Sequence, residues 1–374
     1  MYNKGVDVRL VAIYYRDSKI EHGIVSLIKS KNKIIYFRKG FEFKLILNFF
    51  KYFKSLKSLF FKVDTKEALY LTLNYDTIRF IDSCDIVHSH FGDVGEFIAK
   101  YYKYELLKKP IFINSFHGFD INPKNLKKYK YTYFNLIQFS KIIFVNSLYS
   151  YSLVEKIDKL LISKTKILPM GVDVDFFKND FSKINRNYNL IFIGRLIKLK
   201  GPILAIKIVH KIKEKVPEVK LNIVGEGEEM ESLRMCIHDL ELEDNVILHG
   251  AKSIEEIKAL YSVSDVLIAP GITDPGSGRT ETQGLVIQEA QSMSLPVVVS
   301  NSGGMKYGVL DGITGYVISE GDISSFCEKL LFLYENPAKR KELGMAGRKF
   351  VKLKFNNSIL INDLISIYKR ELDL

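Results

Sequence analysis

The stretch Leu190–Pro202, LIFIGRLIKLKGP, decides the reading of this chain. Leu190 to Ile193 form a short apolar run without polar alternation, the pattern of a parallel strand covered on both faces. The run ends at Gly194, whose missing side chain lets a ligand approach the backbone. Arg195 and Lys200 then place cations near the carboxyl end of the strand, and Pro202 suits the first position of a following helix. Open α/β sheets bind ligands at that edge. A guanidinium fork beside a mobile ammonium can offset the charge of a diphosphate. Ordinary surface charge on a strand-to-helix turn fits the same residues.

Working outward, strand and helix alternate along the whole chain. Strand candidates lie at 6–14, 34–37, 85–88, 111–116, 142–146 and 166–169, and again at 190–193, 219–224, 246–248, 266–269, 296–300 and 315–318. Two doubly wound α/β sheets follow. A polar run near Phe176–Tyr188 marks the boundary, giving domains at 1–178 and 188–350. Residues 351–374 are left as a C-terminal helix that can pack back on the first domain. Helix signals run from Ile323 onward, with breaks expected at Asn336-Pro337 and at Gly344.

The length of 374 residues suits two such domains, and a hydrophobic fraction of 47% supplies core for both. Cys84, Cys236 and Cys327 are too scattered for a disulfide framework or a metal cluster. The N-terminus lacks a signal-peptide pattern and no apolar run reaches the length of a membrane span, so a cytoplasmic location is expected. The net charge of +12 is one-sided: residues 1–180 hold 30 Lys and Arg against 18 Asp and Glu, whereas residues 181–374 balance. Such a surplus steers anionic partners, and the same Lys-rich composition also fits a solvated surface. No recognition motif accompanies it, so no specific nucleic-acid partner is expected. Residues 38–66 combine Phe49, Phe50, Phe53, Leu56 and Phe60 at helical spacing with Lys51, Lys54, Lys57 and Lys62. This segment can lie on an anionic membrane surface, peripherally on the inner face, or serve as an ordinary helix with its aromatic stripe on a sheet.

Two further stretches carry chemistry. Val224-Gly225-Glu226-Gly227 follows a strand and permits a tight turn against a ligand, and a plain strand-to-helix turn fits the same residues equally well. The stretch from Asp274, DPGSGRTETQGLVIQEAQSMSLPVVVSNSGG, runs as a loop into a helix beginning near Gly284. Free amides of Gly284, Leu285 and Val286 at that helix start can hold phosphate. Glu281 before the helix and Glu289 within it can accept hydrogen bonds from sugar or ribose hydroxyls, or serve only as a first-turn acid and a solvated face.

In this order the motifs resemble glycosyltransferase family 4. The matching pieces are DIVHSH at 85–90, SFHGFD at 115–120, ILPMGVDVDFF at 167–177, FIGRLIKLKG at 192–201, IVGEG at 223–227, ETQGLVIQEAQSMSLPVVVSNSGG at 281–304 and DGITGYVI at 311–318. The resemblance implies a GT-B architecture, with two Rossmann-like domains facing across a cleft. It also implies a retaining transfer from a UDP- or GDP-sugar to a glycan or lipid-linked acceptor in bacterial polysaccharide or glycoconjugate synthesis, with no tightly bound cofactor and no metal required.

By the same resemblance, Arg195 and Lys200 hold the donor diphosphate, Glu289 the ribose, and Glu281 lies beside the transferred sugar. Gly194, Gly225 and the Gly284–Val286 amides line the donor, and His117 approaches its sugar. His88 is expected to support packing and His90 to approach the cleft. Asp173-Val174-Asp175 reads as an inter-domain segment rather than a metal clasp. The chain departs from the family in three places. Tyr15–Gly23 replaces a glycine-rich loop, with Arg16 or Ser18 as substitutes. Ser294-Leu295-Pro296 lacks the glycine usual before that proline, and Lys306-Tyr307 stands where Pro-Glu is common. An epimerase or phosphorylase on the same architecture, and a catalytically quiet glycan- or membrane-binding adaptor, are the competing functions.

Overall fold

The structure is a computed structural model and describes residues 10–12, 34–36, 74–179 and 188–373. The Lys- and Phe-rich segment 38–66, the Tyr15–Gly23 loop with Arg16 and Ser18, and most of the 178–188 boundary lie outside the described residues. The described strands are β1 (Leu10–Ala12), β2 (Ile34–Tyr36), β3 (Ile86–His90), β4 (Ile111–Ser115), β5 (Ile142–Val145) and β6 (Thr165–Ile167). They continue with β7 (Asn189–Ile193), β8 (Lys220–Val224), β9 (Val246–Leu248), β10 (Val266–Ala269), β11 (Val297–Ser300) and β12 (Gly315–Ile318). The helices of the first half are α1 (Tyr75–Asp82), α2 (Gly92–Lys103), α3 (Leu126–Thr132), α4 (Phe134–Phe139), α5 (Leu148–Glu155) and α6 (Lys159–Ile162). Those of the second are α7 (Pro202–Lys213), α8 (Met230–Asp239), α9 (Ile254–Ser262), α10 (Leu285–Ser292), α11 (Ile323–Glu335), α12 (Pro337–Lys354) and α13 (Asn357–Glu371).

The first half holds a parallel pair, β1-β2, and a four-stranded sheet of order β3-β4-β5-β6. Apolar Ile142–Val145 forms a fully buried strand there, as its unbroken hydrophobicity requires. By contact density the chain divides into two compact units. One comprises residues 1–115, 128–143 and 365–374, the other residues 116–127 and 144–364. Residues 116–127, including His117, group with the second unit. The final segment of α13 groups with the first, where Tyr368 Oη lies 2.5 Å from His88 Nδ1.

The second half is built on a six-stranded parallel sheet of order β12-β11-β10-β7-β8-β9. Chain order reverses between β7 and β10, because β8 and β9 are added on one side of β7 and β10 to β12 on the other. That reversal opens a crevice at the carboxyl ends of β7 and β10. Successive residues of β7 point to opposite faces: Leu190 and Phe192 enter a core with α7, α8 and α11, whereas Ile191 and Ile193 enter one with α10 and α12. Both faces are covered, which is why the strand reads as continuously apolar.

Two local findings sharpen the helical reading. The break expected at Gly344 is absent, and α12 runs through it from Pro337 to Lys354. The glycine serves close packing instead, since a Cβ there would lie 2.0 Å from the Ser294 carbonyl oxygen. Helix α10 ends in a Schellman motif, with Ser294 N donating to Gln291 O and Leu295 N to Ala290 O, both at 2.9 Å. Ser294, standing where glycine is usual, accordingly adopts a left-handed φ of 61°. A side chain there carries strain that glycine does not. Ser294→Gly is expected to stabilise the fold by about 1 kcal/mol. Equal or lower urea midpoints in the variant would show that the serine is under no strain.

Candidate functional site

The site grows from the crevice between β7 and β10. After β7, Gly194 N donates to Val224 O at 3.0 Å and Leu196 N to Glu226 O at 2.8 Å, so the chain continues as a loop beside the end of β8. Gly225 has a packing reason of its own: a Cβ there would lie 1.9 Å from the Gly194 carbonyl oxygen. At Gly194 a Cβ would meet only the stem of Lys200 at 3.8 Å, leaving that backbone open beside the lysine. Arg195 is exposed at the strand's carboxyl end.

A 3-10 turn, Lys198–Lys200, carries the chain to Gly201, which takes a φ of 70°. A Cβ on Gly201 would lie 2.1 Å from the Pro270 carbonyl oxygen, and Ile272 N donates to Leu199 O at 2.9 Å. The loops after β7 and β10 therefore meet backbone to backbone. Lys200 Nζ reaches the Glu281 carboxylate, and both side chains are mostly buried, with 22% and 18% exposure. Burial alone pushes the Glu281 carboxyl up. The Lys200 ammonium and the amides of Gln283 and Gly284 outweigh it and hold the carboxyl below its ordinary range.

Helix α10 starts directly after Gly284, which adopts a left-handed φ of 79°. Among the described residues, the amides of Leu285 and Val286 have no acceptor, as expected of a helix's first turn. Glu289 sits one turn further along. Its carboxylate lies 3.1 Å from Tyr261 Oη, a hydroxyl also 3.2 Å from Val286 O. Burial raises the Glu289 carboxyl above its ordinary range, with the tyrosine hydroxyl opposing it. The two glutamates are therefore unlike: Glu281 is held ionised by a cation, Glu289 is not.

His117 lies in the same compact unit. Its amide and that of Gly118 donate to Asp120 Oδ1, each at 2.9 Å, and its carbonyl oxygen accepts from Thr282 Oγ1 at 3.3 Å. The histidine backbone thus meets the residue next to Glu281. Burial lowers its imidazole below the ordinary 6.5, favouring the neutral ring. His88 sits elsewhere, its Nε2 2.7 Å from Ser115 Oγ and its ring stacked on His90 at 4.7 Å between centroids.

Several supporting residues escaped the sequence reading. Gln283 pairs with Met170 through both amide atoms, accepting from its N–H at 2.8 Å and donating to its carbonyl at 2.7 Å. Thr282 accepts from Asn146 Nδ2 at 3.0 Å. These buried polar contacts aim Glu281 by fixing its neighbours. Their signal in the sequence is two polar residues, Thr282 and Gln283, between Glu281 and a helix-starting glycine. Asp173 Oδ1 accepts from the amides of Asp175 and Phe176, which closes a turn. Among the described residues, no three His, Cys, Asp or Glu side chains assemble into a metal-binding group.

With this geometry established, comparison with known proteins is informative. Residues 173–350 match the family model described as glycosyl transferases group 1. The chain is 31% identical over 190 residues to a GDP-mannose-dependent alpha-(1-6)-phosphatidylinositol monomannoside mannosyltransferase of Mycolicibacterium smegmatis, covering 48% of this chain. That match spans half the length of the mannosyltransferase. It is 27% identical over 292 residues to the amylovoran biosynthesis glycosyltransferase AmsK of Erwinia amylovora, covering 77% of this chain and 70% of that protein. Among solved structures, Anabaena Alr3699/HepE in complex with UDP superposes with a TM-score of 0.75 at 16% identity, over 98% of this chain and 100% of that one. A glycosyltransferase from Rickettsia africae ESF-5 gives 0.68 at 19% identity, over 94% and 89%. At these identities the structural likeness establishes the fold.

Two outcomes test the geometry. Lys200→Met strips Glu281 of its cation and is expected to cost about 1–3 kcal/mol, most of it recovered in Lys200→Met/Glu281→Gln. Additive losses in the double variant would show that the pair is uncoupled. For His117, a folded pKa below the unfolded one gives stability that is complete above pH 6.5 and lost as pH falls through the folded value. The stability advantage of wild type over His117→Gln should therefore shrink between pH 7.5 and pH 5.5 (about one pH unit either side of the reference value). A constant gap in urea midpoints would contradict the depressed imidazole.

Proposed function

We propose that this GT-B-fold chain, which over residues 173–350 is similar to the group 1 glycosyl transferases, moves a sugar from a nucleoside diphosphate sugar to a hydroxyl of a glycan or lipid-linked glycan. The setting is bacterial cell-surface polysaccharide or glycoconjugate synthesis. The observation that carries this reading is the meeting of the Lys200–Glu281 pair with the uncommitted Leu285 and Val286 amides at the switch point of a parallel sheet.

Cations and amides together suit a diphosphate, and their fixed placement suits charge that grows as the leaving group departs. Arg195 and Lys200 take the diphosphate, the Leu285 and Val286 amides its oxygens, since that of Gly284 is held by Glu281, and Glu289 the ribose hydroxyls. Glu281 lies against the transferred sugar and His117 donates to it as a neutral imidazole. The bond between the anomeric carbon and the diphosphate oxygen breaks. The acceptor oxygen bonds to that carbon from the same face, giving retention, and its proton passes to the departing phosphate.

A relative named for GDP-mannose and a fold neighbour solved with UDP make both nucleotides the first donors to try. The division into an acceptor domain at 1–178 and a donor domain at 188–350 is part of the proposal. So is contact of residues 38–66 with anionic lipid at the inner face of the membrane. No helix among the described residues is long and apolar enough to cross a membrane.

A panel of UDP- and GDP-sugars tests the reading, first by thermal shift and then by release of nucleoside diphosphate with glycan acceptors. Arg195→Ala is expected to lower kcat/KM about 100-fold, near 3 kcal/mol. Glu289→Ala should raise the donor KM while sparing the acceptor KM. Full turnover in folded Arg195→Ala, or no shift with any nucleotide, would overturn the assignment.

A further inference from the structure

The loop from Pro270 to Gly284 is anchored more heavily than is needed to deliver Glu281. Thr273 donates to Glu320 through its amide at 2.6 Å and its hydroxyl at 2.9 Å. Asp274 closes a turn by accepting from the amide and hydroxyl of Ser277, the amide at 2.9 Å. Lys124 Nζ donates to Pro275 O at 3.2 Å and also to Gly276 O. These contacts fix where the loop returns, and Arg279 stands at that return, its carbonyl accepting from Asp274 N at 2.8 Å.

Arg279 spends only its Nε, which donates to Ser277 Oγ at 3.2 Å. Its terminal amino groups make no hydrogen bond among the described residues, and its charge also acts on the Asp274 carboxylate of the same loop. Its guanidinium carbon lies 5.2 Å from the centre of the Phe119 ring. Phe119 is 71% exposed on the turn directly after His117 and Gly118. Gly118 takes a φ of 101° and abuts Thr282, where a Cβ would come within 2.3 Å of the threonine methyl. The exposed ring and the guanidinium therefore flank the histidine turn and the Glu281–Thr282 segment together.

We propose that Phe119 and Arg279 form a subsite for an acceptor sugar that bears an anionic group, a carboxylate or a phosphate. The proposal rests on the glycosyl-transfer reading. An exposed aromatic ring offers a flat apolar face to the C–H side of a pyranose, and the guanidinium fork matches two oxygens of a carboxylate or phosphate. Holding the arginine in place through the anchored loop lowers the ordering cost of binding. Phe119 supplies affinity for the ring, and Arg279 supplies preference for charge.

Methyl glucoside, methyl glucuronoside and glucose 6-phosphate serve as probes in ligand-observed NMR titrations of the full chain. UDP and GDP are present throughout to occupy the diphosphate site. One anionic probe is expected to bind about five-fold more tightly than methyl glucoside, and which one does so separates carboxylate from phosphate. Arg279→Gln should bring the probes to equal affinity, Arg279→Lys should retain part of the preference, and Phe119→Ala should weaken all three alike. Circular dichroism melting checks that each variant folds. Equal binding of neutral and anionic probes to the wild type, or a preference that survives Arg279→Gln, overturns the subsite. UDP and GDP thermal shifts read the donor site separately. Their absence in wild type defeats the glycosyl-transfer reading, whereas their persistence beside lost probe discrimination defeats only the subsite.

Discussion

The close approach of Gly201 to the Pro270 carbonyl is the constraint on which the rest of the second half depends. Two loops leave neighbouring strands at the one place where the sheet reverses its order, and they can touch only because one of them has no side chain there. The Leu199 carbonyl accepts from Ile272 across the same seam. Lys200, between these two contacts, has its backbone fixed before its side chain makes any interaction. Main-chain packing thus sets where its side chain starts, from which the ammonium reaches Glu281.

Glu281 needs that delivery. A carboxylate this deeply placed is unfavourable unless a cation and hydrogen-bond donors meet it. Lys200 and the amides of Gln283 and Gly284 do so, and Gly284 belongs to the turn that starts α10. One amide of the helix start is accordingly committed to the protein's own carboxylate while the next two are not. The helix terminus is divided between holding the site together and leaving donors open to an anion. Glu289, one turn on, lies beside a tyrosine hydroxyl rather than a cation, so burial pushes its carboxyl up where that of Glu281 is held down.

Much of this was legible in the sequence, and what was not has identifiable causes. Strand positions in the second half followed from runs such as Val266–Ala269 and Val297–Ser300, because strands covered on both faces leave no polar alternation. The Arg195–Lys200 and Glu281–Glu289 spacings pointed to the loops after β7 and β10 and to the start of α10, because loops at strand ends are short and chemically marked. Gly344 misled, since glycine weakens a helix intrinsically and its benefit here lies in a contact with a residue fifty positions earlier. Thr282, Gln283 and Asn146 were invisible as supports because their partners are backbone and side-chain atoms far away in the chain.

Gly344 also changes how a map of damaging substitutions on this protein would look. The interior of α12 and the end of α10 are in contact at the Ser294 carbonyl, and the other end of α10 presents the Leu285 and Val286 amides. A helix of eight residues has no slack with which to absorb a push. Bulk added at Gly344 would be relayed along α10 as a rigid displacement of its first turn. A glycine-to-alanine scan would then score Gly344 alongside Glu281, although the glycine has no chemistry of its own, and distance from the crevice would be a poor guide to tolerance.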